Sequence, residues 1–160
     1  MAQIHEKLYQ SEGLSRIDVA DYIRSMAASL FTSYGVRGDL ISLKLEVDDV
    51  KLGLDTAIPC GLIINELISN ALKHAFPNGR VGEVRVALRS SGDGSLQLRV
   101  SDNGVGVPDG FDPRRSRSLG LQLVQALADQ LDGTVEIRRD GGAVFEVRFQ
   151  ELKYKERIRP

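Results

Sequence analysis

Apolar positions recur with two different periods along this chain, and the switches between them mark out its elements. Ile4 and Leu8, with Ser11, share a helical face, so residues 1–11 read as the end of a helix broken at Glu12-Gly13. Between Val19 and Tyr34, the residues Tyr22, Ile23, Met26, Leu30 and Phe31 repeat at helical spacing behind Asp18, whose carboxylate can cap the first turn. Ile41, Leu43, Leu45 and Val47 then alternate with polar residues, the period of a strand with one buried face. A further helix is expected from a Thr56 cap, with Pro59 tolerated in the first turn, to about Ala75, closed by Pro77-Asn78-Gly79. Val84, Val86 and Leu88 form a second alternating run, and Leu96, Leu98 and Val100 a third; Ser90 to Gly94 between them is a hairpin signal.

The pattern dissolves into Gly, Pro, Asp and Arg from Asp102 to Ser118, which reads as a long loop. It returns as a helix over Leu119–Leu131, with Leu123, Val124, Leu127 and Leu131 inward and Gly133 as the stop. Val135 and Ile137, then Ala143, Phe145, Val147 and Phe149, make two last strands around the turn Asp140-Gly141-Gly142. Strands that alternate, rather than run continuously apolar, belong to a sheet covered on one face only. The expected fold class is therefore α+β: a two-layer sandwich of one mixed, mostly antiparallel sheet of about five strands, with three helices on one face.

Composition adds exclusions. The 160 residues suit one domain, and 21 basic residues against 22 acidic ones leave a net charge of −1, so no basic field recruits nucleic acid or anionic lipid. No run of 18 apolar residues spans a membrane and no secretory signal opens the chain, which gives an expectation of a cytoplasmic domain without direct membrane contact, part of a larger sensor protein at most. Cys60 is the single cysteine and sits among apolar neighbours, so it reads as a core filler and leaves no disulfide framework.

The candidate chemistry begins in Asn65-Glu66-Leu67-Ile68-Ser69-Asn70-Ala71-Leu72-Lys73-His74. Glu66, Asn70 and Lys73 lie at i, i+4 and i+7 and share one face of a largely apolar helix. A solvated face is the plain reading. Against it stand two asparagines, poor helix formers that need a reason to sit mid-helix. The stripe suits a nucleotide: an amide oxygen on Asn70 can ligate Mg2+, Lys73 can neutralise phosphate, and Glu66 can take a proton. Asp102-Asn103-Gly104-Val105-Gly106 follows a strand directly, so a carboxylate able to accept from an adenine amino group is followed by glycines that let backbone approach a base. Ser118-Leu119-Gly120-Leu121 opens a helix whose N–H groups can receive phosphate oxygens. Arg114, Arg115 and Arg117 fit a solvated basic patch as well as phosphate contacts.

In this order and spacing the motifs resemble the ATP-binding domain of the gyrase–chaperone–histidine kinase–mismatch-repair superfamily, and more closely the catalytic domain of bacterial sensor histidine kinases. NELISNALKHAF resembles their N box, SDNGVGVP the first glycine box and SLGLQLV the second. IHEKLYQS with DYIRSMAASLFTSY is similar to the segment joining dimerisation helices to the ATP domain in one kinase subgroup. The resemblance implies ATP and Mg2+ as ligands. It implies Asn70 as the Mg2+ ligand and Asp102 as the adenine partner, with Gly104 and Gly106 shaping the pocket. Lys73 and His74 match positions near the phosphates or nucleotide edge, Leu119, Gly120 and Leu121 form the phosphate-binding helix start, and Glu66 would assist the acceptor imidazole. It also implies a homodimeric full-length kinase whose partners are an acceptor-histidine dimerisation domain and a response regulator.

Three segments are expected: residues 1–17 as the end of a dimerisation helix and linker, 18–152 as the catalytic domain, and 153–160 as a charged tail. Ser118 stands where the second glycine box often has Gly, and Ala143 where the last strand often has Thr, which removes one polar side-chain contact. Only His5 and His74 are available as histidines, and neither matches an acceptor: His5 is expected to be structural, so the substrate histidine would lie on another segment. The same pocket type serves serine kinases that regulate a sigma factor, and non-kinase ATP-binding modules. The IHEKLYQS segment argues against the serine kinase, and the lack of room for further domains argues against an ATP-dependent clamp.

Overall fold

The computed structural model describes residues 16–106 and 119–151. Their elements in chain order are β1 (Ile17–Asp18), α1 (Val19–Ser33), β2 (Ile41–Val47), β3 (Lys51–Leu52), α2 (Leu54–His74), β4 (Gly82–Ser90), β5 (Ser95–Asp102), α3 (Leu119–Gln130), β6 (Thr134–Arg139) and β7 (Ala143–Gln150). Five strands form one sheet in the order β2-β4-β5-β7-β6. Only β2 and β4 run parallel, as a crossover through α2 requires; the hairpins β4–β5 and β6–β7 and the pair β5–β7 are antiparallel. The expected fold class holds: α+β, with a helical layer over one face.

The period-2 residues do what their alternation demands. Val84, Val86, Leu88, Leu98, Val100, Phe145, Val147 and Phe149 are buried against Ile23 and Met26 of α1, Ile63, Ile64, Leu67 and Ile68 of α2, and Val124, Leu127 and Ala128 of α3. Tyr22 of α1 packs directly on Gly61 of α2, where a Cβ would come within 2.3 Å of the Tyr22 hydroxyl. Cys60 is buried in the same layer, its thiol pushed up to about 12 by burial, as suits a core filler.

Three expectations are corrected. Thr56 is not the cap of α2. The helix begins at Leu54 behind Gly53, whose carbonyl accepts the N–H groups of Thr56 (3.1 Å) and Ala57 (2.8 Å), while Thr56 is fully buried inside. Pro59 consequently lies beyond the first turn, where its missing N–H omits one rung of the intrahelical ladder. Leu123 is 40% exposed rather than inward; Leu121 takes the inner position. The Asp18 cap is as expected, its Oδ1 accepting from the Asp21 N–H at 3.2 Å. The ribbon β1–β3, which tucks Ile17 against Leu52, has two residues a side and no readable period. Residues 1–11, His5, the loop with Arg114, Arg115, Arg117 and Ser118, and the tail 153–160 lie outside the described residues. Among those described, no helix is long and apolar enough to cross a membrane.

The other sheet face is charged. Exposed pairs such as Arg89–Glu46 (3.1 Å) and Arg85–Glu83 (3.1 Å) each contribute little. Glu146 differs. It is 2% exposed and receives Arg148 (2.8 Å), Arg99 (3.1 Å), Gln97 (2.6 Å) and Arg138 (3.2 Å). Burial raises its pKa, but those four donors outweigh it and hold the carboxyl near 2, below its ordinary 4.5. A depressed carboxylate stabilises the fold above its unfolded pKa and loses that contribution as pH falls through the folded one. Glu146→Gln is therefore expected to cost about 2 kcal/mol at pH 7, the pKa difference discounted for three solvent-screened arginines. In urea titrations the gap to wild type should close between pH 4.5 and about 2. A gap independent of pH would remove the ion cluster as its cause.

Candidate functional site

The helix-facing row of β5 runs Leu96, Leu98, Val100 and then Asp102, so the strand places a carboxylate where its register has just placed core residues. Asp102 is half-buried, and two backbone groups hold it: the N–H of Gly104 (2.9 Å) and that of Ala143 (3.3 Å) both donate to Oδ1. Among the described residues Oδ2 has no hydrogen-bond partner, which leaves it open to a ligand. Burial pushes the Asp102 pKa up from its usual value; the bonds from Gly104 and Ala143 and the nearby Arg80 charge pull the other way. A carboxylate kept short of full solvation, yet fixed in direction, is suited to bind a donor.

Glycines let the backbone close around it. A Cβ on Gly104 would lie 2.1 Å from the Ala75 carbonyl oxygen, and one on Gly142 would lie 2.0 Å from the Asp102 carbonyl oxygen. Gly106 has φ +78° and passes close to the Gly142 carbonyl, so the first glycine box and the β6–β7 turn are packed backbone to backbone. The box is also pinned to the end of α2, where the Val105 N–H donates to the Ala75 carbonyl at 3.0 Å. Asn103 ties it to β4, its Oδ1 accepting from the Glu83 N–H at 2.7 Å, and Arg80 reaches the Asn103 carbonyl at 3.3 Å.

These contacts join the glycine box to the helix that carries the polar stripe. Asn70 precedes Ala75 by five positions, about 7.5 Å along the helix axis. Glu66 and Asn70 are half-buried, and neither makes a side-chain hydrogen bond or ion pair among the described residues. Lys73 and His74 are exposed, and the Lys73 Nζ sits 6.0 Å over the Tyr34 ring. Leu119 is 80% exposed, Gly120 is partly buried at the first turn of α3, and the Leu121 side chain enters the core, leaving only its backbone for a ligand. Among the described residues no three His, Cys, Asp or Glu gather as a metal cage. Mg2+ carried by phosphates needs few protein ligands, and the Asn70 amide oxygen, without a partner among the described residues, fits that demand.

Sequence reasoning missed three contributors. Ala143 drew notice only for the side-chain contact it lacks, and its backbone N–H donates to Asp102. Gly142 read as a turn residue, while its φ of +147° and its packing on Asp102 make it part of the site. Arg80 had no signal beyond one charge after a turn. A hollow of about 950 Å³, lined by Arg89, Ser95, Gln97, Leu131 and Phe149 among others, lies at the opposite end of β5 and β7 from Asp102 and Ala143 and contains none of the residues of this site.

In sequence and fold the chain is similar to histidine kinases. Residues 1–34 match a family model described as histidine kinase. Over 103 residues the chain is 35% identical to blue-light-activated histidine kinase 2 of Erythrobacter litoralis, covering 63% of this chain and 29% of that protein. Over 89 residues it is 39% identical to the sensor histidine kinase PdtaS of Mycobacterium tuberculosis, covering 54% of this chain and 18% of that protein. The chain thus spans less than a third of the length of these curated relatives. The solved histidine kinase domain of a blue-light-activated kinase from Erythrobacter litoralis superposes with a TM-score of 0.79 at 25% identity, over 93% of this chain and 72% of that one. Residues 56–153, more than half of the chain, match the model for histidine kinase-, DNA gyrase B- and HSP90-like ATPases, and the chain belongs to that family.

Proposed function

We propose that residues 18–152 form the catalytic domain of a two-component sensor histidine kinase, which binds Mg-ATP and passes its γ-phosphoryl group to a histidine on a dimerisation segment. The observation that carries this reading is the half-buried Asp102 carboxylate, held by Gly104 and Ala143 beside the end of the helix bearing Glu66, Asn70 and Lys73. Asp102 Oδ2 accepts from the adenine amino group, and the close backbone around Gly104 and Gly106 bounds a flat slot for the ring. Asn70 holds Mg2+, which neutralises charge on the phosphates and orients them. Lys73 and His74 lie at the phosphate edge, and the start of α3 at Leu119, Gly120 and Leu121 offers N–H groups to phosphate oxygens.

In the transfer step an imidazole nitrogen of the acceptor forms a bond to the γ-phosphorus as the bond to the β–γ bridging oxygen breaks. ADP leaves, and Glu66 orients the imidazole and receives its proton. Positioning and charge neutralisation carry most of such a step. An aspartate on a response regulator then takes the phosphoryl group. The full-length kinase is a homodimer in this reading, as the match of residues 1–34 to a histidine kinase model supports. That same match disfavours the serine kinase of the superfamily, whose product would be acid-stable phosphoserine.

Two experiments test the reading. With acceptor helices supplied in trans and radiolabelled ATP, acid-labile phosphohistidine should form; its absence would reject the kinase. Asn70→Ala should abolish the dependence of ATP affinity on Mg2+ in calorimetry. Equal strengthening by Mg2+ in the variant would remove Asn70 as the ligand.

A further inference from the structure

We propose that Tyr34 is a positioning residue for Lys73, holding its ammonium group at the phosphate edge of the site; the inference rests on the reading of Lys73 as a phosphate partner. Tyr34 closes α1, its N–H donating to the Leu30 carbonyl at 3.0 Å, and Gly35, at φ +62°, gives its own N–H to the Thr32 carbonyl and turns the chain away behind it. The ring is thereby left against α2. Its hydroxyl hydrogen-bonds the Ser69 hydroxyl, and Ser69 is 8% exposed. Lys73 lies one turn beyond Ser69 on the same helix, and its Nζ stands over the ring at 6.0 Å.

An exposed lysine has four rotatable bonds, and aiming it at one point costs rotamer entropy. A ring fixed from below by Ser69 narrows the ammonium to one region through cation–π attraction, so part of that cost is met before nucleotide arrives. Tyr34 itself is 40% exposed, so it adds little to the core. The α1–α2 contact is already made by Tyr22 on Gly61 and by Ile23 and Met26. A purely structural tie would affect melting alone, whereas a positioning residue affects affinity for phosphates and not for the nucleoside.

The test is a double-mutant cycle read by calorimetry with two probes, Mg-ATP and adenosine. Tyr34→Leu should weaken Mg-ATP about two- to fivefold, the range of an exposed cation–π contact, and leave adenosine unchanged. The adenosine arm also confirms that the variant has folded. In a Lys73→Gln background the same change should have no further effect. Tyr34→Phe keeps the ring but loses its tie to Ser69, so it should weaken Mg-ATP less than Tyr34→Leu does. If Tyr34→Leu weakens both probes alike, or weakens Mg-ATP undiminished without Lys73, the positioning role is overturned. It is overturned as well if Lys73→Gln weakens Mg-ATP but Tyr34→Leu does not, and then the role of Lys73 survives. If Lys73→Gln leaves Mg-ATP affinity unchanged, Lys73 is no phosphate partner and both statements fall.

Discussion

Asp102→Ala is expected to weaken adenine-nucleotide binding by about 1.5–3 kcal/mol, the worth of a hydrogen bond to a charged group, or roughly ten- to 150-fold in Kd. The change also strips the Gly104 and Ala143 N–H groups of their shared acceptor, so some of the loss would come from a loosened glycine box. Asp102→Asn separates the two causes. An amide oxygen at the Oδ1 position still accepts from Gly104 and Ala143, while the amide nitrogen replaces the free carboxylate oxygen with a donor facing another donor. Burial raises the Asp102 pKa, so the charged form costs stability at neutral pH that the neutral amide does not. Asp102→Asn should therefore leave the melting temperature equal or higher while losing affinity as Ala does. Calorimetry showing unchanged ATP affinity in either variant would remove Asp102 from the adenine role.

Gly104→Ala should be strongly destabilising. The added carbon would lie 2.1 Å from the Ala75 carbonyl oxygen, and that oxygen is fixed as the acceptor of the Val105 N–H. Backbone on both sides of the clash is held, so the loop must lift from the end of α2 and break that bond. Overpacking plus the lost hydrogen bond predicts about 3 kcal/mol, or about 6–12 °C in Tm for a domain of this size. Nucleotide affinity should fall with it, since the lift moves the Gly104 donor away from Asp102. Gly38 is the control: nothing lies within 4 Å of an added Cβ, and Gly38→Ala should stay within about 0.5 kcal/mol. Equal melting of the two variants would mean the close approach at Ala75 is wrong.

What was legible beforehand follows from where the information resides. Side-chain periodicity carried the strands and α1, because alternation in β4 and β5 and the Asp18 cap are properties of residue types in order. The start of α2 was misread because Thr56 has the chemistry of a cap, whereas the helix begins behind a glycine that offers only its backbone carbonyl. The same limit applied at the site. Asp102, Asn70 and the glycines could be picked out by type and spacing, but the Ala143 N–H and the packing of Gly142 on Asp102 are backbone events with no side-chain signature. Strand order had no local signal: β5 beside β7 and parallel β2 beside β4 emerge only when the helices are packed. By period alone Glu146 falls on the outward row of its strand. Its value comes from Arg99, Arg138 and Arg148, which reach it from three strands.

Asp102 and the polar face of α2 are expected to bind opposite ends of one nucleotide. A crystal structure of the chain with Mg2+ and a non-hydrolysable ATP analogue decides it. The adenine amino group is predicted within about 2.7–3.2 Å of Asp102 Oδ2, with the metal on the Asn70 amide oxygen of the same molecule. Nucleotide bound elsewhere, or bound at Asp102 with its phosphates directed away from Asn70, would contradict it.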